Sequence, residues 1–130
     1  MKGRRAAQAW AFSLFGLVPH IVEDFAYRVP ERFGLDPVAA GWLVGAVFAV
    51  QALAALGSAG GSRRAVLVLA VVAGGWVIAA AADHWRAFLP ADFRGGMSSR
   101  AWVWSLILGQ GLTLLFAVRA LLSGADSRPG

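Results

Sequence analysis

The stretch VAAGWLVGAVFAVQALAALG, residues 38–57, contains no charged residue and a single strongly polar one, Gln51. A second stretch, AVLVLAVVAGGWVIAAAA at residues 65–82, contains neither kind. A helix lying on a soluble core needs a polar face, and neither run can supply one. At about 1.5 Å of rise per residue, about 18 to 20 apolar residues cross a hydrocarbon layer of about 30 Å. Both runs read as membrane-spanning helices.

Two flanking segments extend the pattern. Residues 6–27 and 101–122 are long and predominantly apolar, so four spans are predicted, at about 6–27, 38–57, 65–82 and 101–122. The expected fold is all-α: an integral-membrane antiparallel four-helix bundle forming a single domain over residues 1–130. Composition agrees, with 58% hydrophobic and only 15% charged residues, against about 25% charged in a soluble domain. Lys2, Arg4 and Arg5 ahead of an apolar run resemble the start of a signal peptide. No small-x-small cleavage site follows, and the segment continues into His20, Glu23 and Asp24, so it is read as a retained helix.

Four spans place both termini on one side. That side receives Lys2, Arg4, Arg5, Arg63, Arg64, Arg119 and Arg128 against Asp126 alone. The other receives Arg28, Arg32, Arg86, Arg94 and Arg100 against Glu23, Asp24, Glu31, Asp36, Asp83 and Asp92. Positive charge stays cytoplasmic, which puts both termini inside, in what reads as the cytoplasmic membrane of a prokaryote. The basic pI follows from this topology-setting charge, and no nucleic-acid partner is implied. Trp42, Trp85, Trp102 and Trp104 then fall at the outer interface and Trp10 at the inner one, where amphipathic rings prefer to sit. The connector at 28–37 is punctuated by Pro30, Gly34 and Pro37. The longer one, 84–100, carries Trp85, Phe88, Leu89 and Phe93 and is expected to lie on the interface.

Polar chemistry concentrates in the first span. Ser13, Gly16, His20, Glu23 and Tyr27 stack along one helical stripe with Asp24 at its edge. His20 lies about 10 Å below the outer surface by helical rise, and ionisable groups at that depth face a protein interior or a wet cavity. Pro19 has no N–H to give the Phe15 carbonyl and is expected to kink the helix there. Asp83 and His84 close the third span on the same side, within reach of the first group in an antiparallel bundle. His20, Glu23, Asp83 and His84 are therefore candidate metal ligands, since imidazole and carboxylate suit zinc, iron or copper. His20, Glu23, Asp24 and Tyr27 are candidates for a small-molecule pocket, with Ser105 and Thr113 on the opposite wall. The plainer alternative is a His20–Glu23 hydrogen bond, with Asp83 and His84 solvated. No cysteine is present, which removes disulfide and thiolate chemistry. No cofactor other than a metal ion is suggested, and no complete catalytic signature exists.

Small residues at Gly41, Gly45 and Ala49, with Gly74 in the third span, are expected to let backbones approach closely. That contact lies either within the bundle or with a second copy or larger membrane complex. Gln51, Ser105, Gln110 and Thr113 are expected to hydrogen-bond between helices.

His20-Ile21-x-x-Asp24, continued by Tyr27 and Val29-Pro30-Glu31-Arg32, resembles the first helix of the EXPERA superfamily, which includes the emopamil-binding sterol isomerases and the sigma-2 receptor. The resemblance covers about 15 residues. It implies a membrane helical fold with a pocket for a lipophilic amine, His20 and Asp24 among its residues and Asp24 as counter-ion. The chain departs from the family at Gln51, where a carboxylate is expected, and in its shorter outer connector. The function expected is binding of a lipophilic or cationic small molecule, with the lipid bilayer as surroundings. An accessory role in a larger complex and metal-ion handling are the alternatives.

Overall fold

The computed structural model describes residues 2–84 and 97–123. The described residues form five helices: α1 (Lys2–Ala26), α2 (Val29–Arg32), α3 (Pro37–Ala59), α4 (Arg63–Asp83) and α5 (Met97–Ser123). Of these, α3, α4 and α5 are long and apolar enough to cross a membrane. That makes the chain a membrane protein by helix length and composition. The expected interfacial residues Trp85, Phe88, Leu89 and Phe93 lie outside the described residues, as do Asp92, Asp126 and Arg128.

Local chemistry sets the boundaries. Asp36 caps α3, its carboxylate accepting from Val38 and Ala39 N–H at 3.0 Å, with Pro37 at the first helical position, where a missing N–H costs nothing. Gly61, at φ 88°, turns the chain in the left-handed region that suits glycine, and Ser62 then caps α4 through the Ala65 N–H. The connector at 28–37 is more ordered than its punctuation suggests. Arg28 takes φ 56°, α2 adds one turn, and Arg28 Nε donates to Glu31 at 2.8 Å. The guanidinium holds the Glu31 carboxyl below the usual carboxylate range. Helix α1 runs without interruption through Pro19.

The tightest packing is antiparallel, between α1 and α5. A Cβ added at Gly16 would collide with Ser105, and one added at Gly109 would meet the Ser13 Cβ and Cα. Close approach here depends on glycine at both positions. Gly3 is pressed in the same way against the Ser58 carbonyl of α3.

The core divides into two apolar clusters. One gathers Ala6, Ala54, Ala55, Val66, Leu69, Ala70 and Ala117, a set small enough for backbones to come close. The other is Leu17, Ala80 and Leu106. Between them runs a relay of hydrogen bonds through four helices. Trp76 Nε1 donates to Gln51 Oε1 at 3.2 Å, and Gln51 Nε2 donates to Gln110 Oε1 at 2.9 Å. Gln110 Nε2 donates to Ser13 Oγ at 2.9 Å, which donates to the Trp10 carbonyl at 2.6 Å. Both glutamines are fully buried, so every partner in the relay replaces water that an apolar surrounding cannot provide.

Candidate functional site

Helices α1 and α4 run parallel and finish side by side, which brings the two polar groups of the sequence together. His20 is one of the few buried polar residues, at 5% exposure, because its position on the α1 stripe turns it inward below Pro19. His84 is the C-cap residue of α4, its N–H bonded to the Ala80 carbonyl. The Nε2 atoms of the two rings stand 3.4 Å apart, with the rings edge to face at a centroid distance of 5.0 Å. Asp24, one helical turn beyond His20, places Oδ2 3.4 Å from the same His20 nitrogen. Asp83 Oδ2 lies 3.5 Å from His84 Nε2. One ligand atom each from His20, Asp24 and His84 falls within 4.8 Å of the others.

Neither of the closest separations is a good hydrogen bond, whose usual donor–acceptor distance is about 2.9–3.0 Å. The second ring nitrogen of His20, Nδ1, is buried and has no hydrogen-bond partner among the described residues. Burial holds the His84 imidazole below the usual histidine range, against the opposing pull of the Asp83 charge. A neutral imidazole offers a ring nitrogen lone pair.

This cluster forms the polar end of a cavity of about 470 Å³. Its other walls are largely apolar, with Ile21, Val29, Phe33, Trp76, Ala80 and Leu106 among them. Phe33 and Val29 come from α2 and the residue after it, so the short helix serves as a side wall. The arrangement is a largely apolar slot ending in two imidazoles and two carboxylates, those of Asp24 and Asp83.

The other sequence candidates go elsewhere. Glu23 accepts a hydrogen bond from Ser99 of α5, so it ties α1 to α5 instead of bonding His20, and Asp24 takes its place in the ligand cluster. Tyr27 is 41% exposed and does not line the cavity. Ser105 packs beneath Gly16. Thr113 is buried and donates to the Gly109 carbonyl at 2.8 Å, well away from the slot. Gly41 and Gly45 face open space, with no atom within 4 Å of an added Cβ, whereas Gly74 approaches Leu114 of α5. Ala49 is exposed on the same side of α3.

Of the glycines pressed against another helix, Gly16 and Gly109 carried a signal in the sequence, whereas Gly3 and Gly57 did not. Ser13/Gly16 and Ser105/Gly109 are pairs of small residues at helical spacing. The cavity walls Val29, Phe33 and Trp76 carried none, because apolar residues beside a pocket look like any others.

No protein-family model matches the chain, and no curated protein or solved structure is significantly similar to it. The geometry at the ends of α1 and α4 therefore carries the functional argument.

Proposed function

We propose that the protein is a small multi-pass membrane protein whose cavity binds a lipophilic small molecule. Its polar head would be held at the end formed by His20, Asp24 and His84. The observation that carries this reading is the pairing of apolar walls with one polar end in a cavity of about 470 Å³, within the about 300–1,000 Å³ common for small-molecule sites. The EXPERA resemblance of His20 and Asp24 points the same way.

In this reading α1 is the fourth span of an antiparallel bundle. Its 25 residues reach about 37 Å, and Phe12, Phe15, Val18 and Val22 form an exposed apolar face on it suited to lipid. The charge asymmetry of the connectors puts the termini in the cytoplasm and the pocket outside, in the cytoplasmic membrane of a prokaryote.

The test is thermal unfolding of the protein in lipid nanodiscs with octyl-chain compounds bearing amine, alcohol or hydroxamate heads. At least one should raise the Tm of the wild type, and Ala79→Trp, which fills the cavity from its wall and leaves His20, Asp24, Asp83 and His84 unsubstituted, should abolish the shift. If no compound stabilises the wild type, the pocket reading falls. A second reading, an accessory subunit of a membrane complex, is favoured by the open Gly41/Gly45 face of α3. Stoichiometric co-purification of a partner that Gly45→Leu releases would support it.

A further inference from the structure

The polar end of the cavity has the dimensions of a metal site. Donor atoms about 2.0–2.2 Å from a tetrahedral ion stand about 3.3–3.6 Å from one another. His20 Nε2 lies 3.4 Å from His84 Nε2 and 3.4 Å from Asp24 Oδ2. Those separations are long for hydrogen bonds and right for the edges of a coordination tetrahedron. The third edge, between His84 and Asp24, is no longer than 4.8 Å, and rotation of the Asp24 or His84 side chain would close it. His20 is 5% exposed and sits on a rigid helix, which fixes the deepest ligand in advance. Two imidazoles and a carboxylate form the donor set of open zinc sites, where three protein ligands leave a fourth position for a water or substrate.

We propose that His20, Asp24 and His84 bind one divalent transition-metal ion of the zinc class, with its fourth coordination position facing the cavity. This deepens the pocket reading, on which it rests, by setting the chemistry of the head group. A divalent ion on two imidazoles and the Asp24 carboxylate keeps one positive charge, which the Asp83 carboxylate, 3.5 Å from His84 Nε2, offsets. The head group is then chosen by the open coordination position, which takes an oxygen donor with a free lone pair and gives a protonated amine nothing to bind. The bare cluster, with Asp24 as its nearest carboxylate, has the opposite preference.

Cobalt(II) is the probe, added to chelator-stripped protein in nanodiscs and followed by metal analysis after dialysis and by visible absorption. The wild type is expected to hold one ion per chain with the intense d–d bands of a tetrahedral site. His84→Ala changes a half-buried residue at a helix end, so it is expected to fold, and it should weaken binding at least about 100-fold, more than loss of an outer-shell partner does. His20→Ala and Asp24→Asn should do the same. Octanohydroxamate should shift the bands and raise the Tm of the cobalt form, with octylamine doing neither. Failure of the wild type to retain cobalt, or retention undiminished in His20→Ala/His84→Ala, overturns the metal site. If octylamine then stabilises the stripped protein, the pocket stands without the metal. If cobalt binds with tetrahedral bands while no octyl compound changes Tm, the metal site stands and the pocket reading is what fails.

Discussion

Glycine at positions 16 and 109 is demanded by contact rather than by backbone conformation. Ser13 and Ser105 occupy the space that a side chain would need, and overpacking a tight interface costs about 1–3 kcal/mol. Gly109→Ala, whose new methyl would meet the Ser13 Cα, is therefore expected to lower unfolding free energy in mixed micelles by about that amount. Gly41→Ala and Gly45→Ala, which point into open space, should leave it unchanged or raise it by up to about 1 kcal/mol, because alanine favours the helix. Equal effects at the two pairs would mean that α1 and α5 do not meet as described. Residue chemistry also explains why Asp24 and not Glu23 joins the histidines. The two carboxylates splay by about 100° on a helix, so one turns toward α4 and the other toward α5.

The elements are held together by a polar relay at mid-height in an otherwise apolar interior. Gln51 of α3 and Gln110 of α5 share one hydrogen bond and each holds a further helix, α4 through Trp76 and α1 through Ser13. Gln51→Leu strands the Trp76 N–H and the Gln110 carbonyl, and each single Gln→Leu change should cost about 1–3 kcal/mol. The double variant removes two of the stranded groups at once and should cost less than the sum, by about 0.5–1.5 kcal/mol. A double-mutant cycle on unfolding free energy measures that coupling. Strict additivity would mean that the two amides do not bond in the membrane. The sequence identified these residues as interhelical hydrogen-bonders, but not their partners, because an amide in an apolar run can satisfy any of its neighbours.

At the scale of the whole molecule, the design is polarised. Where α1 and α4 end, imidazoles and carboxylates meet a cavity; where α3 passes to α4, Arg63 and Arg64 stand exposed beside a glycine-rich turn. The chain lacks cysteine, so single-cysteine variants report topology without background. In right-side-out vesicles, Leu35→Cys should react with a membrane-impermeant maleimide, and Ser62→Cys should react only after the vesicles are opened. The reverse pattern would place the cavity on the cytoplasmic side and overturn the proposed orientation, while leaving its geometry intact.

The segments at 38–57, 65–82 and 101–122 could be recognised from the sequence alone as apolar enough to enter a membrane, because burial in hydrocarbon depends on composition over about 20 residues and not on neighbours. The first segment, with its charges at both ends, falls outside that set and is a span only in the proposed reading. The concentration of ionisable groups at one end was equally plain from helical spacing. What only the tertiary structure decided is which of those groups share a site. His20 and His84 are 64 residues apart, and their meeting depends on α1 and α4 running parallel and ending at the same level. That level is set by the Gly16 and Gly109 contacts and by the glutamine relay, none of which lies in the site. The small-residue run at 41–49 was read as a contact either within the bundle or with a second copy or larger complex. Gly41 and Gly45 meet nothing within the fold, because spacing says where backbones can approach closely and not which backbone comes.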